Sequence, residues 1–361
     1  MPKMYKILII VQRSNGDVLL SSPLIEALNG FYQNASIDLL VNDDTLGIAK
    51  TLPFVNRIHT YSYGWRNDTT WTRLSKELKF IKKIYRKYDL SINLTASDRS
   101  VFYSIIASKH SISAREAESK KSWWKKLFLT AHYPFDTQAH ILKNNLKACE
   151  LFSIPLDKTV LKIVAKEEAV QTIKKRLKEK NIHTFMIFHP SAQYHYKVYP
   201  QRLRNVLLKK LNSLDIPIIV TGAKSEIDME IKQHLPQLEY VYDFIGETTL
   251  DEYVALSSLS KAYIGMDTLN MHIAAGQNKD IFAIFGPTLL PVWSPWSNEV
   301  QCAATQNKPY QKYGNVRLFQ ADMPCVACGL AGCDDKHGKS DCLEHILPDD
   351  IYREVQKCLD L

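Results

Sequence analysis

The chain has 361 residues, 45% of them hydrophobic and 23% charged, with 13 Gly and 15 Pro. Those proportions exclude collagen-like, low-complexity and disordered classes and suit about two domains of roughly 150 residues, and no apolar run reaches the ~18 residues of a membrane-crossing helix. The net charge of +8 is uneven: residues 1–150 hold 22 Lys and Arg against 13 Asp and Glu, the remainder 24 against 25, so the first half either meets something anionic or presents a solvated surface.

KILIIV (6–11) is a continuous apolar run, as in a parallel strand covered on both faces. The start is basic, but the apolar run is short and meets a Gly-Asp rather than a small-residue cleavage site, so it reads as a buried first strand rather than a signal peptide, which makes the cytosol the expected compartment. A helix follows, with Leu20, Leu24, Leu28 and Phe31 at helical spacing. SIDLLV (36–41), RIHTY (57–61) and LSINL (90–94) read as strands, and 72–88 as a basic helix. The charged stretch 165–180 reads as a helix bridging two halves, after which the pattern restarts. Strands are expected at 184–190, 216–226, 240–246, 261–268 and 280–288, with helices at 199–214, 250–260 and 269–276. Strands alternating with helices predict an α/β fold of two doubly wound, Rossmann-like parallel-sheet domains facing a central cleft. The expected domains are 1–165 and 166–347; a terminal helix, 348–361, is expected to pack back on the first domain.

In such sheets ligands bind beyond the carboxyl ends of the strands, so strand ends supply the candidates. Gly16-Asp17 ends the first strand and opens a helix. Asp17 is either a helix cap or a general base for an acceptor hydroxyl. SNGDVLL lacks G-x-G-x-x-G spacing, which removes the main support for a dinucleotide dehydrogenase. His189-Pro190-Ser191-Ala192, with Lys197 close behind, offers exposed N–H groups, a hydroxyl and an ammonium to a diphosphate; the alternative for Lys197 is a surface lysine. Gly222 and Gly286 close two further strands where a backbone is expected to approach a ligand. Asp267-Thr268 ends a strand and starts a helix whose N–H groups attract phosphate. The Asp, repelled by phosphate, suits sugar hydroxyls, and His272 lies one turn on, as a ligand contact or a satisfied core histidine.

Taken together, GDVLLSSPLIEAL, HPSA with YK behind it, IGMDTLNMHIAAG and IFGPT ahead of a Trp-rich loop resemble glycosyltransferase family 9, the heptosyltransferases, in order and spacing over roughly residues 5–300. The resemblance implies a GT-B fold, an inverting transfer without a catalytic metal, an ADP-heptose donor and a lipopolysaccharide inner-core acceptor. It places the enzyme at the cytoplasmic face of the inner membrane. It further implies an acceptor role for the first domain and a nucleotide-sugar role for the second, with Asp17 as general base and Lys197, Asp267, Thr268 and His272 as donor contacts; Ser191, Gly222 and Gly286 are expected donor contacts from their strand-end positions. Leu269 stands where the family usually has a small residue.

Two features lie outside these motifs. Cys325-x2-Cys328-x4-Cys333-x8-Cys342 suits a structural zinc or iron held by four thiolates, with free thiols or disulfides as the alternatives. A metal there would accord with a second acceptor, an autotransporter protein, since iron-binding members of the family modify such proteins. SKKSWWKKLF (119–128) mixes Lys with Trp and Phe, as at an anionic membrane surface, or else turns its tryptophans inward. A nucleic-acid-binding reading leaves Asp267-Thr268 and the two-unit pattern unexplained, so no nucleic acid is expected.

Overall fold

The computed structural model describes residues 4–116 and 123–359. The chain forms two compact units, Met1–Lys162 and Ile163–Leu361. The first runs β1 (Tyr5–Val11), α1 (Asn15–Leu19), α2 (Ser22–Phe31), β2 (Ala35–Asn42), α3 (Leu46–Ala49), β3 (Val55–Tyr61), α4 (Thr70–Ile84), β4 (Tyr88–Asn93), α5 (Asp98–Ala107), β5 (Ser108–Arg115), α6 (Trp123–Phe128), β6 (Ala131–Pro134) and α7 (Ile141–Glu150). Its six strands lie in the order β3-β2-β1-β4-β5-β6 and every pair is parallel. Ile7 to Ile10 of β1 are fully buried, as a central strand covered on both faces requires.

The second unit runs α8 (Glu167–Glu179), β7 (Met186–His189), α9 (Gln201–Asn212), β8 (Ile218–Val220), α10 (Glu226–Gln233), β9 (Val241–Asp243), α11 (Leu250–Leu259), β10 (Ala262–Met266), α12 (Leu269–Gly276), β11 (Asp280–Ile284), α13 (Leu290–Trp293), β12 (Tyr310–Tyr313), β13 (Val316–Phe319), α14 (Asp341–Glu344) and α15 (Pro348–Cys358). The sheet order is β12-β13-β11-β10-β7-β8-β9, parallel except for the β12–β13 edge pair. The terminal helix α15, expected on the first domain, belongs to the second unit's core. Its Ile351 and Val355 are fully buried there, and it packs on α9.

Local chemistry sets the helix limits. The helix expected after β1 is two helices, because Pro23 in the first turn of α2 has no N–H to continue α1. The basic helix expected to reach residue 88 stops at Ile84, where Arg86 takes a positive φ of 50°. Among the described residues no helix is long and apolar enough to cross a membrane.

Candidate active site

In the first unit the chemistry gathers just beyond the carboxyl end of β1. Asp17, only 5% exposed, sits in the first turn of α1. Its Oδ2 accepts from the Ser14 hydroxyl at 2.6 Å and from the Ser14 N–H at 3.2 Å, and its own N–H donates to Ser14 Oγ, so the two residues form a capping box. Oδ1 is ion-paired with Arg13 Nε at 3.2 Å. Arg13 is itself set by Asn42 Nδ2, which donates to its carbonyl at 3.4 Å, and its guanidinium lies over the Phe135 ring. The capping role and a fixed carboxylate orientation therefore coexist in one residue.

In the second unit the strand order β11-β10-β7-β8 places Gly286, Asp267, Ser191 and Gly222 side by side along one carboxyl edge. Asp267 and Thr268 join β10 to α12. Thr268 is the residue before the helix and makes no side-chain capping bond, so the first-turn N–H groups face that edge. Lys197, at the end of a single 3-10 turn, reaches Asp267 Oδ2 at 3.3 Å. His272 is 2% exposed, and no group among the described residues pairs with its Nδ1. Burial holds its pKa down to about 4, against an upward pull from Asp267 and with a downward push from Lys197. It is therefore a neutral ring at pH 7, within electrostatic reach of both.

Lys197, Asp267, Thr268 and His272 thus converge, and Ser191, 3% exposed, lies on the loop that carries Lys197. The two glycines have a different cause. A Cβ on Gly222 would lie 2.5 Å from Asp228 Oδ1, and one on Gly286 would lie 2.8 Å from Leu343 Cδ2. Packing against the chain itself gives one physical reason for glycine at both places. Sequence reasoning placed Thr221 at a strand end but passed over Asn270; Asn270 Nδ2 lies 3.1 Å from His189 Nδ1, and Thr221 Oγ1 lies 3.0 Å from the same nitrogen. Burial holds His189 down to about 4 as well. It also missed the stack of Tyr194, Tyr196 and His337, which ties the cysteine-rich segment to the Lys197 loop, with Tyr194 and Tyr196 ring centroids 5.4 Å apart. No spacing rule links positions so far apart.

The expected metal centre at Cys325, Cys328, Cys333 and Cys342 finds no support in the arrangement of the described side chains. Among the described residues no three His, Cys, Asp or Glu side chains are placed to hold a metal ion. Cys325, Cys328 and Cys333 are exposed and only Cys342 is buried, its thiol pushed up to about 12 by burial first and the other three cysteines next. The chain satisfies this segment differently: Cys333 Sγ accepts from the Asp341 N–H at 3.3 Å, and the Gly329 N–H donates to the Pro287 carbonyl at 2.6 Å. The basic-aromatic segment is corrected in part. Lys125 is wholly buried, between Asp98 Oδ1 and Glu116 Oε2, each at 2.9 Å, while Trp123 is exposed. Lys120 and Lys121 lie outside the described residues.

Two parallel α/β units with their candidate side chains at strand carboxyl ends are the architecture of the GT-B fold. The solved structure of the Escherichia coli ADP-heptose lipopolysaccharide heptosyltransferase II matches at a TM-score of 0.75, covering 98% of each chain at 18% identity. That of E. coli heptosyltransferase WaaC with ADP matches at 0.74 over 98% of this chain and 99% of its own, at 15% identity. The chain belongs to glycosyltransferase family 9 (heptosyltransferase), whose family model matches residues 77–320. Among curated relatives, lipopolysaccharide heptosyltransferase 3 of E. coli is 24% identical over 300 residues, which is 80% of this chain and 85% of that protein.

Proposed function

We propose that this glycosyltransferase moves a heptose from ADP-heptose to a hydroxyl of the lipopolysaccharide inner core, with inversion at the anomeric carbon. The observation that carries the reading is the Lys197–Asp267 pair at the open N-terminus of α12, which sets a cation, a carboxylate and free N–H groups at one strand end. It is supported by similarity to enzymes named as lipopolysaccharide heptosyltransferases. An autotransporter acceptor finds no such support.

In this mechanism the acceptor hydroxyl gives its proton to Asp17 as its oxygen bonds to the anomeric carbon. The bond from that carbon to the diphosphate oxygen breaks on the opposite face, and ADP leaves with the electron pair. The Ser14 capping box keeps the carboxylate aimed. Arg13, 39% exposed at its side chain, is the partner that the acceptor displaces from Oδ1. Lys197 and the first turn of α12 take up the growing negative charge on the diphosphate, where preorganised charge contributes most. Asp267 holds sugar hydroxyls, and the neutral His272 ring offers them a further hydrogen bond.

Purified protein incubated with ADP-heptose and heptose-deficient core lipopolysaccharide should release ADP and raise the acceptor mass by one heptose. Asp17→Ala should abolish both. Unchanged transfer by the folded variant removes Asp17 as base, and no transfer by the wild type points to another nucleotide sugar.

A further inference from the structure

We propose that the outer surface of α4 and α6 in the first unit is a docking surface for an anionic lipid bilayer. The inference extends the proposed function, in which the acceptor glycan is carried on a membrane lipid. It rests on three features of the unit itself.

The first is placement. The steps β3 to β4, β4 to β5 and β5 to β6 all run the same way along the sheet. Right-handed crossovers therefore put α4, α5 and α6 on one face. Direct contacts join them: the Phe80 ring of α4 lies 5.2 Å from the Tyr103 ring of α5, Tyr103 Oη donates to Glu77 Oε1 at 2.9 Å, and Lys125 of α6 pairs with Asp98, the first residue of α5. The three helices form one layer.

The second is what that layer shows to the outside. On α4, Phe80 and Ile84 are buried, while Trp71 is 82% exposed and Leu74 and Leu78 are about half exposed at spacings of three and four residues. They form one stripe. On α6, Trp123, Leu127 and Phe128 are exposed to between 63% and 70%. The buried ammonium of Lys125 fixes α6 so that these side chains cannot fold under. Large apolar side chains concentrated on a single layer mark an interaction site.

The third is charge. Residues 70–87 carry seven Lys or Arg and one Glu. That Glu77 accepts from Tyr103, while Arg73, Lys79, Lys82 and Lys83 are exposed beside the apolar stripe. Tryptophan among lysines suits the headgroup boundary of an anionic bilayer, with aliphatic side chains below and ammonium groups at the phosphates. A second copy of the chain is a poor occupant, because symmetric pairing would set one lysine array against another.

The test uses the full chain without donor or acceptor. Wild-type protein should sediment with vesicles of phosphatidylglycerol and phosphatidylethanolamine, less so at high salt, and not with phosphatidylcholine alone. Brominated lipid should quench its tryptophan fluorescence. The variants W71S/L74S/L78S and W123S/F128S should each lose about tenfold or more in vesicle affinity, while transfer to a delipidated, water-soluble acceptor stays unchanged; that transfer also shows that they fold. Wild type that stays in the supernatant overturns the proposal. So do variants that bind like wild type, or a loss of self-association in their place. Retention of an acidic protein by the stripe without any vesicle binding overturns it in favour of a protein partner. Vesicle binding without heptose transfer leaves this surface standing and removes the proposed reaction instead.

Discussion

Lys197 and Asp267 are each other's partner at 3.3 Å. In the proposed mechanism, a lysine held at one strand end by a carboxylate from the next is preorganised for the donor's diphosphate. Lys197→Met should lower kcat by about 10²- to 10³-fold, as removal of one charge-stabilising donor does, with unchanged circular dichroism; steady-state ADP release measures it. The glycines behave differently. Asp228 closes the capping box of α10 with Ser225, and its carboxylate fills the space where a Cβ on Gly222 would go. Gly222→Ala should cost about 1–2 kcal/mol through the loss of that cap, read as a lower urea midpoint. That Asp228 fills this space is not visible in the spacing of the sequence. Asp17, Lys197 and Asp267 stand out as candidates in the sequence for a simpler reason: each follows a strong apolar strand.

Elements were legible where burial is apolar and obscure where it is polar. β1 announces itself with KILIIV. β5, by contrast, buries Ser108, Ser111 and Ser113. Ser108 Oγ donates to the Asp89 carbonyl at 2.9 Å and Ser113 Oγ to the Ala114 carbonyl at 2.7 Å, so hydrogen bonds replace hydrophobicity and no periodicity betrays the strand. α7 hides likewise behind Asn144 and Asn145, both buried; Asn145 Nδ2 donates to the Leu20 carbonyl at 3.0 Å. Lys125 is the pin of α6, also donating to the Ala96 carbonyl at 2.6 Å. Its partners Asp98 and Glu116 are largely exposed and can take up water when it is removed. Lys125→Met should therefore cost about 1–2 kcal/mol, less than breaking a pair buried on both sides. Faster limited proteolysis between residues 115 and 130 is the expected sign.

At the scale of the whole chain, the two units should differ in their response to acid. His189 and His272 are both buried in the second unit with pKa values of about 4. An unfolded histidine titrates near 6.5, so between these values the unfolded state holds more protons. Stability is then complete above pH 6.5 and falls as the pH drops toward 4, by up to roughly 3 kcal/mol for each ring. Urea midpoints of the second unit should decline over that window, and His189→Gln should flatten the decline. An unchanged midpoint from pH 7 to 5 excludes this account. The two-unit α/β organisation was readable from the restart of the strand pattern near residue 184. The seat of α15 was not, because its apolar face alone does not say which sheet it covers.

The contact of Leu343 with Gly286 makes two distant positions answerable to each other. A larger residue at 286 is compatible with this backbone only if the side chain at 343 shifts or shrinks. Gly286→Ala and Leu343→Ala should thus be less damaging together than their separate costs imply, a positive coupling in a double-mutant cycle. Over evolutionary time the two sites should drift as a pair, so that a substitution in the cysteine-rich segment leaves its mark in the strand-end loop of β11.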